Sequence, residues 1–245
     1  MVFQDEPLHW RQLALLPAVE ERRAYLKSVF LAGEAHADVD FVVQKHQAKW
    51  LWDERVVPQI QEMLQQRPRW YEDVQNIFLI RCPGEMIRSH HRALTRTEDI
   101  PMSLTFEQVG IRQLSRLFSE AITNSGGGSN VVVVDSNTLL LQPRKNMKML
   151  CSRIDIPFSE SMIDWGSVEI TAPLWGKHWY EAVASSGGLQ TYVPSDAEES
   201  GAELLSPALF DLVKECRPYY DKLQEHAMKF EEPHVRHDDR AAGGC

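Results

Sequence analysis

Several features that would assign a function directly are scarce in this sequence of 245 residues. Lysine and arginine together number 26 against 35 for aspartate and glutamate, and the formal net charge is −9. A protein that binds a nucleic-acid backbone carries a basic stripe, and the sequence shows none. We therefore expect no nucleic-acid partner, and any site for an anion must be local.

Cysteines are few and are not grouped. The four cysteines, at positions 82, 151, 216 and 245, have neither CxxC nor CxH spacing. The sequence therefore predicts no zinc site and no disulfide framework, and a reducing, cytoplasmic setting fits this pattern. His234 and His237 are too few to indicate another metal site, so we expect no metal.

Long apolar runs are missing as well. The sequence has no stretch of 18 apolar residues and no basic-then-apolar leader, so we predict neither a membrane span nor a secretory signal. Hydrophobic residues still make up 43% of the chain, which is enough for a core at this length. We predict one α/β domain over residues 1–230 and a disordered polar tail over residues 231–245.

The most informative stretch is NIFLIRCPGEMIRSHHRAL, residues 76–94. Residues 77–80 form a short apolar run, which is typical of a parallel strand buried on both faces. Pro83 and Gly84 then turn the chain, and the residues that follow indicate a helix with proline in its first turn. The pattern predicts a strand, a tight turn and a helix, a unit at which α/β proteins bind anions.

Arg81 and Ser89 are the candidate anion ligands of this unit. Arg81 follows the predicted strand, and Ser89 lies eight positions later, about two turns into the helix. A guanidinium and a hydroxyl at these positions could both reach one phosphate. An arginine at a strand end is also common in surface ion pairs and as a carbonyl cap, so the residues alone leave both interpretations open.

A second apolar segment, VDFVVQ at residues 39–44, predicts a strand that runs into Lys45 and His46. If this strand neighbours residues 77–80 in a parallel sheet, it places a cation and a proton acceptor beside Arg81. A single histidine after a strand is also often a packing or surface residue. Near the N-terminus, Glu6 is either a capping residue at a helix start or a base.

Strands and helices alternate along the rest of the chain. Strands are predicted at residues 1–4 and 130–135 (NVVVVD), helices at 106–123, from Pro143 to about Arg153 and from Ser206-Pro207 onward, and an irregular segment at 174–189. This alternation indicates a three-layer, doubly wound, mainly parallel α/β sheet.

A glycine-rich segment, SGGGS at residues 125–129, lies between a predicted helix and a predicted strand. A P-loop instead follows a strand, ends in Gly-Lys-Ser/Thr and opens a helix, so this segment is interpreted as a linker. The sequence has neither a Gly-Lys-Ser/Thr loop nor an acidic strand pair for magnesium, which disfavours a kinase-like P-loop phosphotransferase.

With these residues in place, the sequence resembles the P-loop sulfotransferase superfamily, in particular its small stand-alone sulfotransferase-like proteins. FLIRCPGEMIRS is similar to the family's F-L-I-R-x-P-x-x-x-x-x-S, and Asp5-Glu6-Pro7 is similar to its (D/E)-E-P motif. VVVVDSNTLLLQP, LCSRIDIPFSESMIDW and WGKHWYEAVASSGG resemble three further segments, V-V-D-x-x-x-L-L-x-x-P, L-C-x-x-x-G-I-P-F-x-x-x-M-x-x-W and H-W-Y-x-x-V-x-x-S-T-G. The resemblance covers most of the chain and implies the fold of P-loop nucleoside triphosphate hydrolases.

The same resemblance implies transfer of a sulfuryl group from 3′-phosphoadenosine 5′-phosphosulfate to a hydroxyl or amine of a small molecule. Arg81 and Ser89 would hold the 3′-phosphate of this co-substrate. Lys45 would offset the charge that develops on the leaving phosphate, and Glu6 or His46 would take the proton of the acceptor. Acceptor specificity in such a fold lies in variable loops, and neither the acceptor nor the oligomeric state follows from the sequence.

Two departures from the family pattern accompany these matches. The family begins with a strand and a Gly/Ser/Thr-rich loop that grips the 5′-phosphosulfate, whereas this sequence starts directly before Asp5-Glu6-Pro7, which predicts that the loop is missing. The family's K-D-M-x-H-H corresponds to KHQAKW at residues 45–50, in which the histidine is shifted. Loss of the loop's donors predicts little or no activity. The alternative is a non-catalytic truncated paralogue or fragment, acting as a scaffold or a weak nucleotide-binding module.

Overall fold

The structure is a computed structural model that describes residues 2–5, 40, 42–51, 74–95, 104–125, 128–166, 177–192 and 205–230. The chain divides into two compact units, Met1–Asp135 with Pro194–Ala227, and Ser136–Val193 with Met228–Cys245. Each unit is therefore built from two segments, and the segments of the two units alternate along the chain. The single domain over residues 1–230 stays a prediction, and the tail at 231–245 lies outside the described residues.

Two pairs of parallel strands belong to the described part of the first unit. β1 (Val2–Asp5) pairs with β2 (Val42–Lys45), and β3 (Asn76–Ile80) pairs with β4 (Val131–Asp135). The strands predicted at residues 1–4, 77–80 and 130–135 are thereby confirmed, whereas the one predicted at 39–44 has Lys45 as its last residue. Parallel pairing requires crossover connections between the strands, as in an α/β fold.

The helices within the described residues are, in chain order, α1 (Ala48–Leu51), α2 (Pro83–Thr95), α3 (Phe106–Val109), α4 (Ile111–Asn124), α5 (Ser136–Leu141), α6 (Pro143–Arg153), α7 (Lys177–Ser186) and α8 (Pro207–Gln224), with a 3₁₀ turn at Glu160–Met162. The helix starts predicted at Pro143 and Ser206-Pro207 are confirmed. Ser206 caps α8 by accepting a hydrogen bond from the backbone N–H of Leu209.

Two segments differ from the sequence-based prediction. The helix predicted over residues 106–123 is divided into α3 and α4, because Gly110 adopts a left-handed φ of 78° and ends α3. A capping box between Thr105 and Gln108 fixes the start of α3. The segment predicted as irregular at 174–189 contains α7. Its aromatic residues obscured the helical pattern, since they fit a packed loop equally well.

The core of the first unit lies where α2, α4 and α8 cover β3 and β4. α8 packs on α2 and α4 and contacts both strands, and the rings of Phe78 and Phe118 meet edge to face with centroids 5.5 Å apart. All five residues of β4 are buried. β3 was predicted to be buried on both faces, which is wrong, because Ile77 and Leu79 are 47% and 60% exposed. Phe78 and Ile80 alternate to the covered face.

The second unit is held by hydrogen bonds between its helices and turns. The buried Asn146 side chain of α6 donates to the carbonyl groups of Thr138 and Leu139 in α5, at 2.9 and 3.2 Å. The Trp165 indole donates to the carbonyl of Val183 in α7. No helix in the described part of the chain is long and apolar enough to cross a membrane.

Candidate functional site

The polar residues of the first unit gather at the carboxyl ends of β3 and β4. Ile80, the last residue of β3, lies opposite Asp135, the last residue of β4. Arg81 follows β3 directly, and α2 starts two residues later. Because the carboxyl ends of parallel strands lie at one edge of a sheet, Arg81 and Asp135 share the edge at which α/β proteins bind ligands.

The predicted strand, tight turn and helix are all present at this edge. Pro83 is the first residue of α2, and the N–H of Met86 donates to the carbonyl of Cys82 at 3.0 Å, which closes the first turn. Among the described residues, and apart from its chain neighbours and the backbone of α2, no heavy atom lies within 4 Å of the position that a Cβ on Gly84 would take. The start of α2 therefore has open space beside it, where the free N–H groups of a helix start can meet an anion.

Arg81 is paired with a carboxylate that lies outside the predicted set of site residues. Its Nε donates to Oε2 of Glu85 at 3.0 Å, and the Arg81 side chain is 47% exposed whereas that of Glu85 is 8% exposed. The terminal nitrogens of Arg81 make no hydrogen bond to any other described residue. The four-residue spacing of Arg81 and Glu85 is typical of such an ion pair and could have predicted it.

Ser89 lies on α2, two turns from the helix start, and its side chain is exposed. The structure thus places both predicted phosphate ligands, Arg81 and Ser89, on one strand-turn-helix unit, and both side chains reach solvent. Their role as ligands stays a prediction.

Lys45 and His46 do not belong to this strand-turn-helix unit. Lys45 is exposed at the end of β2, and the half-buried His46 has its Nε2 3.3 Å from Oε1 of Gln44. Among the described strands β2 pairs with β1 and β3 with β4, so the strand neighbourhood that would place Lys45 beside Arg81 is not found. Crossover connections allow any strand order, which is why the sequence could not fix this neighbour. Glu6 lies outside the described residues.

A different lysine approaches α2. The pKa of His90, the residue after Ser89, is lowered to about 4, first by burial and second by the positive charge of Lys49 in α1. His90 is therefore a neutral imidazole at pH 7. Neither Lys49 nor His90 was selected from the sequence, since nothing in the spacing relates the two residues.

A buried hydrogen bond joins the last helix to the end of β4. The Tyr220 hydroxyl of α8 donates to Oδ2 of Asp135 at 2.7 Å, and both residues are buried. Burial raises the pKa of Tyr220, and its hydrogen bond to the Asp135 carboxylate raises it further. The pair fixes α8 beside the candidate site. No sequence pattern indicates this hydrogen bond, because 85 positions separate the two residues.

A second concave surface lies in the second unit. It has a volume of about 440 Å³ and is lined by Leu141, Gln142, Pro143, Arg144, Lys145, Lys148 and Thr191. Arg144 pairs with Glu160, and the Lys148 ammonium lies 5.0 Å from the centre of the Phe158 ring. Because these two cations already have partners within the unit, we assign the candidate site to the start of α2.

Metal-ligating residues do not cluster in the described part of the chain, where no group of three or more His, Cys, Asp or Glu could hold an ion. Cys82 is half-buried beside Arg81, and Cys151 and Cys216 are buried; all three are free thiols. Burial raises the pKa of Cys216 to about 12, so this thiol is not a nucleophile at neutral pH.

Two curated proteins of Arabidopsis thaliana are similar to parts of this chain. Branched-chain-amino-acid aminotransferase-like protein 2 is 26% identical over 142 residues, which is 58% of this chain and 24% of that protein. Branched-chain-amino-acid aminotransferase-like protein 1 is 24% identical over 123 residues, 50% of this chain and 20% of that protein. The matched regions therefore span a quarter or less of these relatives. No solved structure gives a significant match.

A family model described as a sulfotransferase domain matches residues 55–227. The match contains Arg81, Ser89 and the Asp135–Tyr220 pair, and it begins after Lys45 and His46. It covers more than half of the sequence. The chain therefore belongs to the sulfotransferase domain family.

Proposed function

We propose that this chain transfers a sulfuryl group from 3′-phosphoadenosine 5′-phosphosulfate to a hydroxyl or amine of a small molecule. The observation that carries the proposal is the half-exposed Arg81 guanidinium at the end of β3, beside the open start of α2 and within the sulfotransferase match. The proposal includes a single three-layer, doubly wound domain over residues 1–230 in the cytoplasm. The parallel strand pairs support that fold.

The residues present fit a phosphate group. A guanidinium offers a planar fork of donors that binds two phosphate oxygens at once. Arg81 uses Nε for Glu85, its side chain is 47% exposed, and its terminal nitrogens have no hydrogen bond to another described residue. The N–H groups at the start of α2 and the Ser89 hydroxyl supply further donors for the 3′-phosphate.

The proposed reaction follows from these positions. The acceptor oxygen or nitrogen attacks sulfur, a new bond to sulfur forms, and the bond from sulfur to the bridging phosphate oxygen breaks. Adenosine 3′,5′-bisphosphate leaves with the electron pair, and the acceptor proton passes to a base. We propose Lys45 as the cation that offsets charge on the leaving phosphate and Glu6 or His46 as the base. These three residues precede the matched region.

Titration calorimetry with adenosine 3′,5′-bisphosphate tests the proposal. We expect saturable binding that Arg81→Ala weakens about 10- to 100-fold, because loss of a hydrogen bond to a charged group costs about 1.5–3 kcal/mol. Arg112→Ala is the matched control, since Arg112 forms another arginine–glutamate pair, with Glu107, in the same unit. Its affinity should equal that of the wild type.

Turnover is measured next, with radiolabelled co-substrate and a panel of small hydroxyl and amine acceptors. Labelled product that depends on Arg81 supports the enzyme. Binding without turnover of any acceptor favours the non-catalytic nucleotide-binding module. A folded wild-type chain that does not bind the bisphosphate contradicts the proposed function.

A further inference from the structure

We infer that Glu85 is a positioning residue that holds the Arg81 guanidinium so that its two terminal nitrogens face the phosphate. The inference rests on the proposed function, because the orientation of Arg81 matters only if Arg81 binds a phosphate. Glu85 itself touches neither co-substrate nor acceptor in this role. It acts through its hydrogen bond to Nε of Arg81.

The geometry of the pair separates two sides of the guanidinium. Nε of Arg81 donates a hydrogen bond to Oε2 of Glu85 at 3.0 Å. The Glu85 side chain is buried, whereas the Arg81 side chain is half-exposed. A guanidinium is planar, so fixing Nε and the plane also fixes the direction of the terminal nitrogens. The fork that suits two phosphate oxygens is therefore presented outward before the phosphate arrives, which is preorganisation of the binding site.

Glu85 can hold the Arg81 guanidinium in place because packing fixes the position of Glu85 itself. It lies in the first turn of α2, between the buried Pro83 and the buried Ile87. The turn is closed by the hydrogen bond from Met86 to Cys82, and α8 packs against the helix. Arg81, by contrast, is a long side chain at a strand end and would lose considerable rotamer freedom on binding if nothing held it.

Two other roles for Glu85 predict different behaviour. An acidic residue in the first helical turn favours the helix through its dipole and can cap the backbone. That role affects stability, and its effect on binding does not depend on Arg81. Alternatively, Glu85 is only a negative charge near the phosphate, in which case its removal strengthens binding. Positioning instead predicts weaker binding, and only while Arg81 is present.

A double-mutant cycle read by calorimetry with adenosine 3′,5′-bisphosphate distinguishes these roles. The proteins are the full chain as wild type, Arg81→Ala, Glu85→Ala and the double variant. Glu85→Gln keeps the length and an acceptor oxygen for Nε, and Glu85→Met keeps the length without an acceptor. Glu85→Met also replaces Glu85→Ala if the alanine variant does not fold. Arg112→Ala serves again as control.

We expect Glu85→Ala and Glu85→Met to bind about 10-fold more weakly than the wild type, and Glu85→Gln to bind within about threefold of it or more tightly. In the Arg81→Ala background the alanine change at Glu85 should weaken binding no further. Two results together identify positioning: near-wild-type binding by Glu85→Gln, and no effect of Glu85→Ala when Arg81 is absent. A role in helix stability alone produces neither result.

Three results overturn the inference. They are unchanged or tighter binding by Glu85→Ala or Glu85→Met, an equal loss in both backgrounds, or a glutamine variant as weak as the methionine variant. A wild type that does not bind, or an Arg81→Ala variant that binds normally, instead overturns the proposed function and the inference with it. If the inference fails and the proposed function holds, the wild type still binds the bisphosphate and Arg81→Ala still weakens that binding.

Discussion

Arg81 and Glu85 are four residues apart and form one hydrogen-bonded pair. A sequence motif identifies Arg81 as a candidate phosphate ligand but does not identify Glu85 as its partner. Arg81 was predicted as a ligand because an arginine at the end of an apolar run fits a phosphate. The sequence indicates Glu85 only as one residue of a helix start, and its burial to 8% exposure is a consequence of how α2 packs. The charge of Glu85 could be read from the sequence, but its environment could not.

The interaction between Lys49 and His90 could not be predicted from the sequence either. Their interaction depends on α1 lying close to α2, and the lowered pKa of His90 depends first on burial. A sequence pattern cannot report burial of a single histidine, because histidine is found both inside and outside proteins. The same holds for the hydrogen bond between Tyr220 and Asp135, whose partners come from the two separate segments of the first unit.

The lowered pKa of His90 predicts a pH dependence of stability. Its pKa is 6.5 in the unfolded chain and about 4 in the folded one, so the unfolded state binds the proton more readily as the pH falls below 6.5. The contribution is complete above pH 6.5 and is lost as the pH falls towards 4. By pH 5 the loss should amount to about 2 kcal/mol of the free energy of unfolding.

Urea unfolding of the wild type and His90→Gln at pH 7.5 and pH 5 measures this effect. The glutamine variant should lose about 2 kcal/mol less than the wild type on acidification. His91→Gln is the matched control, since His91 is exposed on the same helix, and it should keep the wild-type pH dependence. Equal losses in the wild type and His90→Gln would rule out a buried neutral His90.

At the scale of elements, local sequence chemistry predicted well where it is strong. Pro83, Pro143 and Ser206 marked helix starts that the structure has at those positions, because proline and serine act through the backbone of their own turn. The division of α3 from α4 was not predicted. Apolar residues keep helical spacing on both sides of Gly110, and the packing of α1 against this turn is a tertiary feature.

Substitution of Gly110 tests the reason for that division. Gly110→Ala should lower the free energy of unfolding by about 1–2 kcal/mol, because a residue with a Cβ is strained at φ 78°. The new Cβ would also lie 3.3 Å from Cβ of Lys49. Chemical denaturation followed by circular dichroism measures the loss.

Gly84→Ala is the control for this change. Gly84 lies within α2 and has no atom within 4 Å of an added Cβ. Alanine there should leave stability unchanged or raise it by about 0.5–1 kcal/mol. Equal stability of the Gly110→Ala variant and the wild type would show that the left-handed turn is not required.

At the scale of the whole molecule, the two compact units are not consecutive in sequence. The segments of the two units alternate along the chain, and β4 ends at Asp135 where α5 begins at Ser136, with no linker residue. We therefore expect the units to unfold together, because a strand that runs directly into a helix transmits the loss of one to the other.

Scanning calorimetry checks this expectation. A single transition whose calorimetric and van't Hoff enthalpies agree is the predicted result, and it would support the one-domain prediction for residues 1–230. Addition of saturating adenosine 3′,5′-bisphosphate should raise the midpoint of that same transition. Two resolved transitions, only one of which responds to the nucleotide, would contradict a single cooperative domain.

The sequence by itself determined the family, the strand-turn-helix unit with Arg81 and Ser89, and the α/β character, because these depend on short-range backbone chemistry and on the spacing of a local motif. Tertiary structure decided which strands pair, which face of β3 is covered, that Glu85 and the Asp135–Tyr220 pair are buried, and that His90 is partly buried. These features depend on contacts between residues far apart in the chain. Strand order and burial are properties of the packed chain, and no local pattern specifies them.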